Sequence, residues 1–162
     1  MESVETTRSR YRPKEILTLF VGESAPSGGT FFYYDNSQLA RYMKRAMEAG
    51  GLEVGNDFLG RFKAYGWYLD DLVLTPVNNL KGPQRTKKCR DAQDSLALRI
   101  AEYRPMAIVS VLLGIKGIVE AAAIASGTNA RLFATPFAGN GQQSRFHSEL
   151  LRILPDLPRA SL

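Results

Sequence analysis

The sequence predicts one three-layer α/β/α sandwich built on a central, mainly parallel sheet of about four strands. Three observations carry that expectation. Short apolar runs alternate with amphipathic stretches of helical period, and the runs stop at glycine or proline. One run, MAIVSVLL, is apolar throughout, as a strand covered on both faces must be. Strands and helices alternating at this spacing imply parallel strands joined by right-handed crossovers.

The elements follow in order. Residues 15–21 read as a buried strand that ends at Gly22. Asp35, Asn36 or Ser37 can cap a helix to about Ala49, with Leu39, Tyr42, Met43, Ala46 and Met47 on one face and Gly50-Gly51 closing it. Asn56 can cap a short helix through Phe58, Leu59 and Phe62 that ends by Gly66. Residues 67–74 supply a second strand, stopped by Thr75-Pro76. A long helix over 85–103 buries Ala92, Leu96, Ile100 and Tyr103. Pro105 turns the chain into the third strand, Gly114 ends it, and a helix over 115–126 stops at Gly127. Arg131–Ala134 is a fourth strand, followed by TPFAGNGQQ and a helix over 142–154.

Size and composition fit one domain. A chain of 162 residues buries roughly 68–70% of its unfolded surface, enough for an independent core. No apolar run reaches the roughly 18 residues needed to span a bilayer, and the polar N-terminus has no apolar signal-peptide core. Residues 1–14, with Arg8, Arg10, Arg12 and Lys14, read as a flexible basic arm ahead of a domain over 15–162. A single cysteine, Cys89, excludes an internal disulfide and any all-cysteine metal site, which fits a reducing cytoplasm.

The charge of +5 permits a nucleic-acid partner, and its distribution is more telling. Lys81, Arg85, Lys87, Lys88 and Arg90 fall within ten residues, as a basic loop running into a helix. That is either a phosphate-contact surface or a solvated helix start.

In the predicted topology, the loops GESAPSGGTFFYY, TPVNNLKGPQR and TPFAGNGQQSR converge over the carboxyl edge of the sheet, where open α/β folds bind ligands. The first loop pairs one carboxylate, Glu23, with four aromatic rings, which suggests a flat ring held near a general base. A nucleotide-triphosphate loop does not fit, because Gly29 stands where its lysine belongs and Glu23 where its first glycine belongs. Nor is there a G-x-G-x-x-G or G-x-S-x-G turn, and the one histidine, His147, lies inside the last helix.

The order of GESAP…FFYY, TPVNN…R, the LLG strand end and TPF-x-GNGQQ resembles the uracil-DNA glycosylase superfamily over about 15–154. Gly22-Glu23-Ser24-Ala25-Pro26 is similar to the G-E-x-P-G loop of its iron–sulfur branch, with one residue inserted. The resemblance implies hydrolysis of the N-glycosidic bond of uracil or another aberrant base in DNA, without a cofactor or metal; the sequence leaves the oligomeric state open, with a monomer favoured. The resemblance also implies that Glu23 positions water, that Phe31 or Phe32 stacks on an extruded base, and that Asp71 reads the base edge, with Asp70 as the alternative. Thr135 takes the place of a leaving-group donor, and Gly28, Gly29, Lys81, Arg85, Lys87, Lys88, Asn140 and Arg145 face DNA.

Three positions depart from the pattern. Asp71 stands where an asparagine is usual, and an ionised aspartate accepts hydrogen bonds without donating them. Thr135-Pro136-Phe137 replaces H-P-S or N-P-S, and three of the four cluster cysteines are missing. A non-catalytic nucleic-acid-binding relative and an N-glycosidase of free nucleosides or nucleotides are the other two readings. For Glu23 alone, a loop carboxylate capping nearby amides is the alternative role.

Overall fold

Strand β1 (Thr18–Gly22) lies at the centre of the sheet, and all five of its residues are buried. The computed structural model, which describes residues 2–162, pairs it in parallel with β2 (Trp67–Asp71) on one side and β3 (Ala107–Ser110) on the other. Strand β4 (Arg131–Ala134) pairs with β3, giving the order β2-β1-β3-β4 with every pairing parallel. This is the predicted α/β fold with one four-stranded parallel sheet.

Helices join the strands. In chain order they are α1 (Val4–Arg10), α2 (Gln38–Ala49), α3 (Phe58–Ala64), α4 (Gly82–Asp91), α5 (Gln93–Tyr103), α6 (Lys116–Ser126) and α7 (Gln143–Ile153). The chain steps one way from β1 to β2 and the other way from β2 through β3 to β4. Right-handed crossovers therefore put α2 on one face and α5 and α6 on the other. The packing agrees, since α2 rests on α7 and α5 on α6. Trp67, Phe20, Phe62 and Phe146 are among the largest fully buried side chains of the core. Among the described residues no helix is long and apolar enough to cross a membrane.

Local chemistry sets the boundaries. Ser37, the last of the three candidate caps, accepts from the Ala40 amide and starts α2. Asp57 rather than Asn56 caps α3, through the Gly60 amide. Strands β1, β2 and β3 are shorter than the apolar runs that announce them: Ile16, Leu72, Val73 and Val111 lie buried in the flanking loops, while Leu74, Met106 and Leu113 are exposed. The expected single helix over 85–103 is two helices: α4 already starts at Gly82 and gives way to α5 at Ala92. No glycine or proline marks that break in the sequence.

The largest correction concerns the segment expected as a loose arm over 1–14, of which residues 2–14 are described: α1 is capped by Ser3 and docks through a buried arginine. Arg8 is 2% exposed and donates from Nη2 to Asp71 Oδ2 at 2.6 Å, with Nη1 at 3.7 Å from Asp70 Oδ1. Asp70 in turn accepts from Arg99 Nη1 of α5 at 2.8 Å and from the Tyr103 hydroxyl at 2.9 Å. Tyr33 closes the same edge, its hydroxyl donating to the Leu69 carbonyl at 2.9 Å and accepting from the Leu69 amide at 2.6 Å. The outer edge of β2 is thus satisfied by a side chain, whereas β4 at the opposite edge leaves Arg131 and Leu132 exposed.

Removing one partner of a buried ion pair strands the other, so Arg8→Ala is expected to cost about 3–5 kcal/mol in urea denaturation. Glu5, an exposed partner of the same arginine, gives the control: Glu5→Ala is expected to cost under about 1 kcal/mol.

Candidate functional site

A cavity of about 330 Å³ opens at the carboxyl edge of the sheet, walled by Phe31, Phe32, Leu39, Leu69 and Phe137, with Asp71 in its lining. Its mouth is the loop between β1 and α2, which local hydrogen bonds hold in shape. The Phe31 amide donates to Asn36 Oδ1 at 2.9 Å, and Asn36 Nδ2 donates to the Gly29 carbonyl at 3.2 Å. Ser24 and Ser27 staple the loop to the one after β2, through the Val77 amide at 3.3 Å and Asn78 Oδ1 at 3.2 Å.

Asp71 reaches the cavity because of the register. It pairs with Gly22, so the two share a face, and a Cβ at Gly22 would sit 2.7 Å from Asp71 Oδ1. The glycine that ends β1 therefore makes room for the carboxylate. Burial raises the Asp71 carboxyl to about 7, with Arg8 opposing the rise and Asp70 adding to it. Asp70, one residue earlier, belongs to the opposite face, where Arg99 and Tyr103 of α5 hold it. Of the two candidates, Asp71 is the one that faces the cavity.

The aromatic residues form one packed group. Phe31 and Phe32 are 2% and 4% exposed and meet Tyr33, Tyr34, Phe58 and Phe62 mostly edge to face. The Arg8 guanidinium lies 5.2 Å from the Phe31 ring centre. The two rings are wall as much as platform, and what each offers a ligand is the part that lines the cavity.

Glu23 occupies a different place from the one the sequence suggests. Its carboxylate turns to α4, where Arg85 grips both oxygens, Nε to Oε2 at 3.0 Å and Nη2 to Oε1, and the Cys89 thiol donates to Oε2 at 3.5 Å. Burial pushes the Cys89 thiol up to about 11, and the Glu23 carboxylate beside it adds to the rise. Glu23 thus neither lines the aromatic cavity nor caps loop amides. Arg85, expected on the DNA side, is engaged by Glu23, and Lys87 pairs with Asp91 at 2.7 Å. Lys81 and Lys88 are exposed, as are Gly28 and Gly29 on the first loop, Asn140 in the loop before α7 and Arg145 in its first turn.

Thr135 does not meet its expected role. It is fully buried, its amide extends the β3–β4 ladder to the Ser110 carbonyl, and its hydroxyl has no hydrogen-bond partner among the described residues. Phe137, two residues on, is the member of that loop that walls the cavity. Nothing in the sequence singled it out beyond its place in the TPF motif. Arg8 was equally hidden, as one of several basic residues in a polar segment.

A second cavity of about 350 Å³ lies beside β4, between Ile108, Ser110 and Leu132 and the charged side chains of Lys116, Glu120 and Arg152. It contains none of the expected site residues. Among the described residues no group of three or more His, Cys, Asp and Glu side chains is placed to hold a metal ion. No known family model matches this chain, and no curated protein shows significant sequence similarity to it.

The raised Asp71 carboxyl has a thermodynamic consequence. A folded pKa of about 7 above an unfolded value of about 3.9 means that the folded chain holds this proton more tightly. Its contribution to stability is full below about pH 4 and is lost as pH rises through about 7. The stability of wild type relative to Asp71→Asn is therefore expected to fall by a few kcal/mol between pH 4.5 and 7.5, measured as paired urea midpoints.

Proposed function

We propose that this chain is a DNA glycosylase-like enzyme of the uracil-DNA glycosylase type, hydrolysing the N-glycosidic bond of an aberrant base in a reducing compartment such as the cytoplasm. The observation that carries the reading is the cavity itself: it has the volume of a base with room to spare, and aromatic walls and one buried acid meet in it. Extruding a base from duplex DNA costs a few kcal/mol. Stacking on an aromatic ring returns roughly 1–3 kcal/mol per base, so a ring-walled cavity at an open edge offsets most of that cost.

In this reading the exposed basic residues Lys81 and Lys88, with Arg145 and the backbone of Gly28 and Gly29, follow the phosphates. Arg85 is the link between DNA and chemistry. A phosphate that engages its guanidinium competes with Glu23 and leaves the carboxylate to orient a water molecule. The water oxygen bonds to C1′ of the deoxyribose while the C1′–N bond breaks and its electron pair leaves on the base nitrogen. Glu23 takes the water proton, the base gains one from solvent, and the products are an abasic sugar and the free base. A carboxylate near C1′ also stabilises the positive charge that develops on the sugar.

The grip of Arg85 on Glu23 equally favours a second reading, a nucleic-acid-binding relative without turnover. An assay on single- and double-stranded oligonucleotides containing uracil, hypoxanthine, xanthine or a mismatch decides between them. Wild type is expected to release at least one base, and Glu23→Ala is expected to slow release by about 10²–10⁴-fold. Cleavage of none of them, or equal cleavage by the variant, removes the hydrolase reading. Oligonucleotide affinity is expected to fall steeply between 50 and 200 mM salt. Salt-independent binding would point to a free nucleoside or nucleotide instead.

A further inference from the structure

Asp71 has one carboxylate oxygen to spare. Arg8 holds Oδ2, while Oδ1 accepts no hydrogen bond among the described residues and sits in the gap that Gly22 leaves open. The side chain is 6% exposed and belongs to the cavity lining. An acceptor that is unpaired yet accessible, on a side chain lining a cavity walled by phenylalanine and leucine, calls for a donor from the ligand.

We propose that the cavity takes a planar nitrogen heterocycle whose edge carries adjacent N–H donors, the amidine-like edge of guanine or of free isocytosine in its N3–H form, read by Asp71 Oδ1. This rests on the reading of the cavity as a base pocket and names the class of base. Uracil fits less well for a reason of chemistry. Its N3–H is flanked by two carbonyl oxygens, so bringing it to Oδ1 sets an acceptor beside the carboxylate. Replacing one of those carbonyls by an amine removes the repulsion and adds a second donor. That amine meets Oδ1 as well or one of the cavity's other acceptors, Ser24, Thr30, Asn36, Ser37 and Gln38. Fixed acceptors of this kind discriminate strongly, because the wrong ligand leaves a buried polar atom unpaired.

Isocytosine and uracil make the test, since their rings differ at C2 alone; uracil is supplied as its 1-methyl derivative, so that N3–H is its one donor. Calorimetric titration of the full chain at pH 8.5, above the Asp71 value of about 7, is expected to give isocytosine a Kd about ten- to a hundredfold lower than uracil. The 2-dimethylamino analogue of isocytosine, which lacks the exocyclic donors, is expected to bind no better than uracil. Asp71→Asn, whose amide both donates and accepts, is expected to lose the preference. Equal binding of the three ligands to wild type, tighter binding of uracil, or binding of none at millimolar concentration overturns the proposal, whether or not the variant folds. An unchanged preference in a folded variant does the same. Turnover is a separate matter. Isocytosine preference without cleavage of any oligonucleotide would keep this inference and remove the hydrolase, and uracil release without the preference would do the reverse.

Discussion

The buried charge cluster at the carboxyl end of β2 organises the rest of the molecule. Arg8 and Arg99 neutralise Asp70 and Asp71, and each carboxylate faces a different side of the sheet. Through Asp70 the cluster ties β2 to α5, and through Arg8 it docks a helix that has almost no apolar surface of its own. Two adjacent acids at a strand end would repel each other and resist burial if the arginines were absent. Their pairing is what lets a strand ending in Asp-Asp finish inside the protein, directly beneath the cavity.

Cluster and cavity share one atom group, the Asp71 carboxylate, and its two oxygens do different work. One is held by Arg8; the other accepts no hydrogen bond among the described residues. Next to Gly22 along the chain, Glu23 is engaged by α4. The loop therefore separates two acids that the sequence sets close to the same aromatic residues. Chain direction explains the split: successive residues leaving a strand point to opposite faces, so Gly22 clears the way for Asp71 on one side while Glu23 turns to the other.

Most of the fold was legible because its signals are local. Gly22 and Gly127 close β1 and α6 and β4 falls on the expected residues, whereas Pro76 and Gly114 lie beyond the ends of β2 and β3. The site was legible only in outline. Phe31, Phe32 and Asp71 do share a cavity, but Thr135 is buried apart from it and Glu23 is held elsewhere. The pairs that settle these places, Arg8 with Asp71 and Arg85 with Glu23, join residues more than sixty positions apart. A long-range ion pair leaves no period or spacing in the chain. The same is true of α1, where a polar segment is held by one buried guanidinium instead of an apolar stripe.

Arg8 and Asp71 are separated by 63 positions, and on a growing chain the arginine is made first. At 5–20 residues per second its partner follows roughly 3–13 s later. A seven-residue helix does not persist alone in water over that interval. The segment made earlier thus takes its place only once β2 has been made. The helix then acts as a clasp that shuts on a strand synthesised after it.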